Sequence, residues 1–247
     1  MSQIIEALKV YLTRKQDLDI PHGHQPFITL TRMDGVNSHE VARAIIAHLD
    51  ELPDKGWNHA WELLDQQLCA WLIKAGHVPA KLEDLVAENY GDGELRQMLY
   101  EMLVGEAEQF SLCHKVGDVV RFLLKSGRTV VVGSAAAAEA ASIKGPGVRI
   151  RLVASEACRI ERLVAQESLT PDAARKLIHV QDAVRARVLH EHYRRELDDH
   201  TLYDATILTD HFKPREIARI VVEMLMVRLD AYGKHNPITT SQVVSLV

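Results

Sequence analysis

The run Thr-Val-Val-Val-Gly at 129–133 places three valines in succession with no polar alternation. As a strand it has no face to give to water, so both its sides must be covered. Chains meet that demand with a parallel sheet between layers of helix. Other segments agree: FITLT (27–31), VRIRLVA (148–154), DATILT (204–209), and a short strand around Trp61, Leu63 and Leu64. Helical spacing separates them. Ser38 opens a helix with Val41, Ala44, Ile45, His48 and Leu49 inward, and the region 57–126 is mainly helical. Ser155 caps a helix carrying Ile160, Leu163 and Val164. Thr170–Pro171 starts a long helix to about Glu196, and the last helix spans 213–231. The expectation is an α/β fold: one parallel sheet flanked by helices, with ligands at the carboxyl ends of the strands.

Bulk properties narrow the function. Hydrophobic residues make up 47% of 247, enough for one sizeable core. A net charge of −5 supplies no sequence-wide basic field, and aromatic content of 5% supplies no stacking platform, so neither nucleic acid nor a membrane surface is an expected partner. Cys69, Cys113 and Cys158 lie far apart without a CxxC spacing and read as reduced thiols of a cytoplasmic protein. The opening MSQIIEALKVYLTRKQ mixes acids and bases into its apolar pattern, unlike a signal peptide. Residues 2–14 read as an amphipathic helix on Ile4, Ile5, Leu8 and Leu12. The expected layout is a helix and linker over 1–26, an α/β domain over 27–232, and a tail over 233–247. Among thirteen histidines, the pairs His22/His24 and His190/His192 match no familiar metal spacing, so no protein-held metal cluster is expected.

The segment FITLTRMDGVNSHEVARAIIAHL (27–49) resembles the opening of the cytidylate kinase-like family, in which a strand, a glycine-rich loop and a helix follow one another. WELLDQQL (61–68), SGRTVVVGSAAA (126–137), VRIRLVASEACRIERLVAQESLTPDAARKLI (148–178) and QDAVRARVLHEHY with DDHTLYDATILTD (181–210) resemble further family segments, in order. The resemblance implies a P-loop, adenylate kinase-like architecture with a helical lid at about 167–200. It implies transfer of the ATP γ-phosphoryl to a CMP-like nucleoside monophosphate with Mg²⁺.

Residues carry over as follows. Main-chain amides of Gly35, Val36, Asn37, Ser38 and His39, with Arg32 nearby, match the phosphate loop. Gly133 and Ser134 match the end of the central strand. Asp65 matches an acid that places the substrate nucleoside, or it is a helix cap. Arg159, Arg185 and Arg187 match cations that neutralise the transferring group. The chain also departs from the pattern. Val36, Asn37 and Ser38 stand where the family has Ser-Gly-Gly, and Gly133-Ser134-Ala135 stands where it has Gly-Arg-Gly. Val resists positive φ, so a reshaped loop is expected. Asp182 lies three residues before Arg185, so salt bridging competes with a ligand role for that arginine. A nucleotide- or anion-binding module without turnover therefore stands beside the kinase, and a scaffold using the terminal helices as an interface is the third reading. Oligomeric state is not readable.

Overall fold

The computed structural model describes residues 26–64 and 127–235, with Gly117, Val120, Arg121, Leu124 and Lys125 of the helix before them. The helix expected over 2–14, the acid Asp65, most of the helical middle and the end of the tail lie outside the described residues.

Five strands form one parallel sheet: β1 (Phe27–Arg32), β2 (Glu62–Leu64), β3 (Thr129–Val132), β4 (Gly147–Val153) and β5 (Ala205–Leu208), in the order β2-β3-β1-β4-β5. β1 is the central strand. It pairs with β3 from Phe27↔Thr129 to Leu30↔Val132, and with β4 from Phe27↔Gly147 to Arg32↔Leu152. All its residues are buried.

Two-sided cover follows the pleat. Ile28, Leu30, Val130, Val132, Val148, Ile150 and Leu152 face one layer. That layer is α1 (Ser38–Glu51), through Val41, Ala42, Ile45 and Leu49, and α5 (Pro214–His235), through Ile217, Ala218, Val221, Val222 and Leu225. Phe27 and Val131 point the other way, onto Leu124, Ala136 and Ala140. The valine run is thus a strand with no wet face, as its composition demands.

A short helix, α2 (Ala136–Ala140), follows β3 directly. Beyond β4, α3 (Glu156–Glu167) and α4 (Pro171–Tyr193) pack on each other through Leu163, Ala174 and Ile178. Their caps are those the sequence announces. Ser155 Oγ accepts the Cys158 N–H at 3.3 Å, and Thr170 Oγ1 accepts the Ala173 N–H at 3.3 Å, with Pro171 in the first turn. Two ends differ from expectation. α4 stops at Tyr193 because Arg194 turns left-handed at φ 52, and α5 continues to His235.

Candidate functional site

The chain leaves β1 toward β2 on one side and leaves β4 toward β5 on the other, although β1 and β4 are neighbours. Such a divergence opens a crevice at the carboxyl ends of the two strands. The turn 33–37 lies at that crevice, and α3 and α4 close against it.

Gly35 makes the turn possible. Its φ is +74°, and a Cβ there would lie 3.0 Å from both Cβ and the carbonyl oxygen of Arg159. Only glycine supplies that backbone and that space together. Val36 and Asn37 keep ordinary negative φ, so the expected conflict at Val36 does not arise. Val36 buries its side chain in the core beside the sheet, and its carbonyl accepts the Ser38 N–H at 2.7 Å. Asn37 is the N-cap residue of α1, and Ser38, expected to cap, is the first helical residue. No side chain caps this helix; the Asn37 side-chain oxygen instead accepts from Gln166 Nε2 of α3 at 2.9 Å.

Two arginines from different helices converge on this turn. Arg159 of α3 donates through Nη1 to an Asp182 carboxylate oxygen and to the Asp34 main-chain carbonyl at 3.4 Å. Arg185 of α4 donates through Nη2 to Asp34 Oδ1 at 3.0 Å and through Nη1 to Asp182 Oδ1 at 3.5 Å. The same Asp182 oxygen accepts the Asp34 N–H at 2.9 Å. Arg185 is 1% exposed and Arg159 is 7% exposed. Charges this deep require partners, and here two guanidinium groups meet two carboxylates. Three polar atoms of the cluster are nevertheless left over. Arg159 Nε, Arg185 Nε and Asp34 Oδ2 are buried without a hydrogen-bond partner among the described residues.

The remaining candidates fall around this cluster. Arg32 ends β1 and is buried; His39 is half-buried in the first turn of α1. Gly133 lies beside the end of β1: its N–H donates to the Leu30 carbonyl at 3.1 Å, and its carbonyl accepts from Thr31 Oγ1 at 3.3 Å. Ser134, next along, is buried. Arg187 lies on α4 but is exposed and away from the buried cluster. Asp65 lies outside the described residues.

Several side chains hold the frame instead. Arg162 donates to Thr209 Oγ1 at 3.0 Å and its carbonyl at 3.1 Å, tying α3 to the end of β5. Asp210, in the turn after β5, accepts the Ser155 N–H at 3.0 Å and so anchors the start of α3. Those Ser155 hydrogen bonds hold its carboxyl below the usual range. The last helix is capped by Glu216, which accepts the Lys213 N–H at 2.8 Å. Asp204 grips Arg149 in a two-pronged ion pair, and Arg195 pairs with Asp199 at 2.8 Å. His190 pairs with Glu196 at 2.6 Å, and among the described residues no group of three or more His, Cys, Asp or Glu could hold a metal ion. No helix among them is long and apolar enough to cross a membrane.

Asp34 escapes sequence reasoning as a site residue. The only available signal is a carboxylate immediately before the one glycine of a βα turn, at the point where a phosphate loop avoids negative charge.

Comparison with known proteins adds a family. The model of the cytidylate kinase-like family matches residues 58–211. The match includes Gly133, Ser134, Arg159, Arg185 and Arg187 and begins after the turn at 33–37. Among curated proteins none matches. The crystal structure of an uncharacterized protein from Eubacterium ventriosum superposes with a TM-score of 0.57 at 14% identity, covering 82% of this chain and 99% of that one. Shikimate kinase from Bacteroides thetaiotaomicron gives 0.41 at 14% identity over 83% of this chain and 98% of its own. TT1252 from Thermus thermophilus gives 0.46 at 15% identity, over 83% and 98%. The parallel sheet with helices on both faces, the arginine-bearing helices after β4 and a match across most of the described chain all agree: this protein belongs to the cytidylate kinase-like family.

Proposed function

We propose that the chain binds a nucleotide in the crevice between β1 and β4 and transfers the γ-phosphoryl of ATP to a nucleoside monophosphate, CMP-like in kind. One observation carries this reading. Two buried guanidinium groups from separate helices meet at the turn after β1, and each keeps an N–H with no acceptor among the described residues. Phosphoryl transfer needs little covalent help from a protein; it needs charge fixed where charge develops. Arg159 and Arg185 would supply that charge, and the amides of 35–39 would orient the donor phosphates. α4 would close over the site within a lid of about 167–200, with α3 leading into it. Arg187, exposed on α4, would reach the nucleotide from solvent. Gly133 and Ser134 would border the phosphates and Asp65 the acceptor nucleoside.

The donor set fits Mg²⁺. A magnesium ion that arrives on nucleotide phosphates takes only one or two protein carboxylates, and Asp34 Oδ2 is the unpartnered carboxylate oxygen at the turn. The ion supplies neutralising charge between phosphate groups when bound. Arg185 would turn from Asp34 Oδ1 to a phosphate oxygen at the same time, so the cluster stays neutralised.

A second reading has its own support. In the closed turn Asp34 and Asp182 already occupy both arginines, and the Ser38 amide is spent on Val36. A family member in that condition would bind nucleotide or another anion as a regulatory module without turnover. The test is product formation from ATP, Mg²⁺ and each nucleoside monophosphate. With a kinase, Arg185→Ala lowers kcat by on the order of a hundredfold while Arg175→Ala, on the exposed side of α4, does not. Nucleotide binding by calorimetry with no transfer to any acceptor selects the regulatory module. Absence of any nucleotide binding ends both readings.

A further inference from the structure

Asp182 of α4 touches three chain elements at once, and both of its carboxylate oxygens are in use. Oδ2 accepts from Arg159 Nη1 of α3. Oδ1 accepts from Arg185 Nη1, three residues along α4, at 3.5 Å and from the Asp34 N–H of the turn after β1 at 2.9 Å. The Asp34 side chain is held more lightly. Its Oδ1 takes Arg185 Nη2 at 3.0 Å, and its Oδ2 has no partner among the described residues.

We infer that Asp182 is the positioning residue of the arginine pair. It stays bound to both guanidinium groups when a phosphate takes the place of Asp34 on Arg185, and so it sets their spacing and aim. That the phosphate belongs to a nucleotide rests on the function proposed above. Two cations gripping opposite oxygens of one carboxylate lie side by side, near enough for a single phosphoryl group to meet both. Side by side they repel, and at 7% and 1% exposure little water screens them. The charge of Asp182 offsets that repulsion whether or not a ligand is present. Its donors come from three elements, so releasing the Asp34 side chain still leaves both arginines and the turn amide attached. The groups then left for a ligand include Arg185 Nη2, given up by Asp34, and the Nε–H of both arginines, which have no acceptor among the described residues. Asp34 is the exchangeable anion of the cluster and Asp182 the fixed one.

Asp34→Asn and Asp182→Asn each remove one negative charge beside the same site, yet they should act with opposite sign. The probe is metal-free ATP, read by calorimetry on the full chain, with urea unfolding to confirm that each variant folds. By charge alone both variants would bind it more tightly. Asp34→Asn should do so, by about tenfold. Asp182→Asn should instead weaken binding by on the order of tenfold, because the arginines splay apart. Arginine side-chain NMR reads the positioning with no ligand present. The Nε–H signals, assigned through Arg159→Lys and Arg185→Lys, should exchange slowly with solvent in the wild type. The Arg159 signal should stay slow in Asp34→Asn and exchange on the order of tenfold faster in Asp182→Asn. Unchanged or tighter ATP binding by a folded Asp182→Asn overturns the inference. So does an Arg159 signal that Asp182→Asn leaves unaltered, or one that Asp34→Asn releases; this last comparison decides even where Asp182→Asn does not fold. A wild type that binds no nucleotide defeats the proposed function instead, and the arginine signals alone then decide for or against Asp182.

Discussion

Arg185 Nη2 lies 3.0 Å from Asp34 Oδ1, joining helix α4 to the turn after β1 with the guanidinium 1% and the carboxylate 12% exposed. Removing either partner strands the other. Arg185→Ala should therefore cost about 3 kcal/mol in urea unfolding, since a buried charge left alone is far worse than a pair replaced. Asp34→Ala combined with Arg185→Ala should cost less than the sum of the two single changes. Strict additivity would mean that the two groups do not act on each other.

Asp34 holds one arginine and keeps one oxygen unpartnered. Without Mg²⁺ its negative charge opposes an incoming phosphate, so Asp34→Asn should raise affinity for metal-free nucleotide by about tenfold. With Mg²⁺ the same variant should lose the gain in affinity that the ion confers on wild type. Calorimetry with and without the ion reads both effects. An unchanged affinity in both conditions would remove Asp34 from the site.

Gly35 and Gly56 form a matched pair. Their φ values are +74° and +76°, yet a Cβ on Gly35 meets Arg159 at 3.0 Å whereas one on Gly56 meets nothing within 4 Å. Gly56→Ala should therefore cost only the left-handed backbone, about 1 kcal/mol. Gly35→Ala should cost more and also displace Arg159, so nucleotide binding falls along with stability. Equal losses for the two variants would show that Arg159 yields freely.

Burial pushes the phenol of Tyr203 above its ordinary value, with the Arg151 guanidinium over its ring acting in the opposite sense. The neutral form is favoured in the folded protein. Its contribution is thus fully present below the unfolded value near 10 and is lost as pH rises through the folded value. Tyr203→Phe should flatten the alkaline fall in stability and remove a late-ionising step from the tyrosinate absorbance titration. A titration unaltered at high pH would place the phenol in solvent.

Strands were legible because a parallel sheet buried on both sides writes itself as unbroken apolar runs, and α3 and α4 because Ser155 and Thr170–Pro171 are strong starts. α2 was not legible. Its sequence, Ala-Ala-Ala-Glu-Ala, has no polar face to set a period, and its one charged residue, Glu139, is buried against Arg121 and Tyr193. The role of Asp210 was not legible for a different reason. A carboxylate just before a helix suits that helix, but here the start of α3 lies closer in space. Arg159 and Arg185 were found as candidates through the family resemblance, and their spacing showed only that Arg185 could reach Asp182. That both would close on Asp34 depends on chain segments brought together by the sheet, which local pattern does not encode.

The central position of β1 has a consequence for how the protein is made. Both neighbours of that strand emerge from the ribosome long after it does: β3 starts at Thr129 and β4 at Gly147, and the Thr31–Gly133 bond spans 102 residues. Until then FITLTR is an apolar strand with two open edges, held in a nascent polypeptide that has nothing to close it. Its window of exposure during translation is the stage at which this chain is most open to wrong pairing, and where a chaperone would have most to protect.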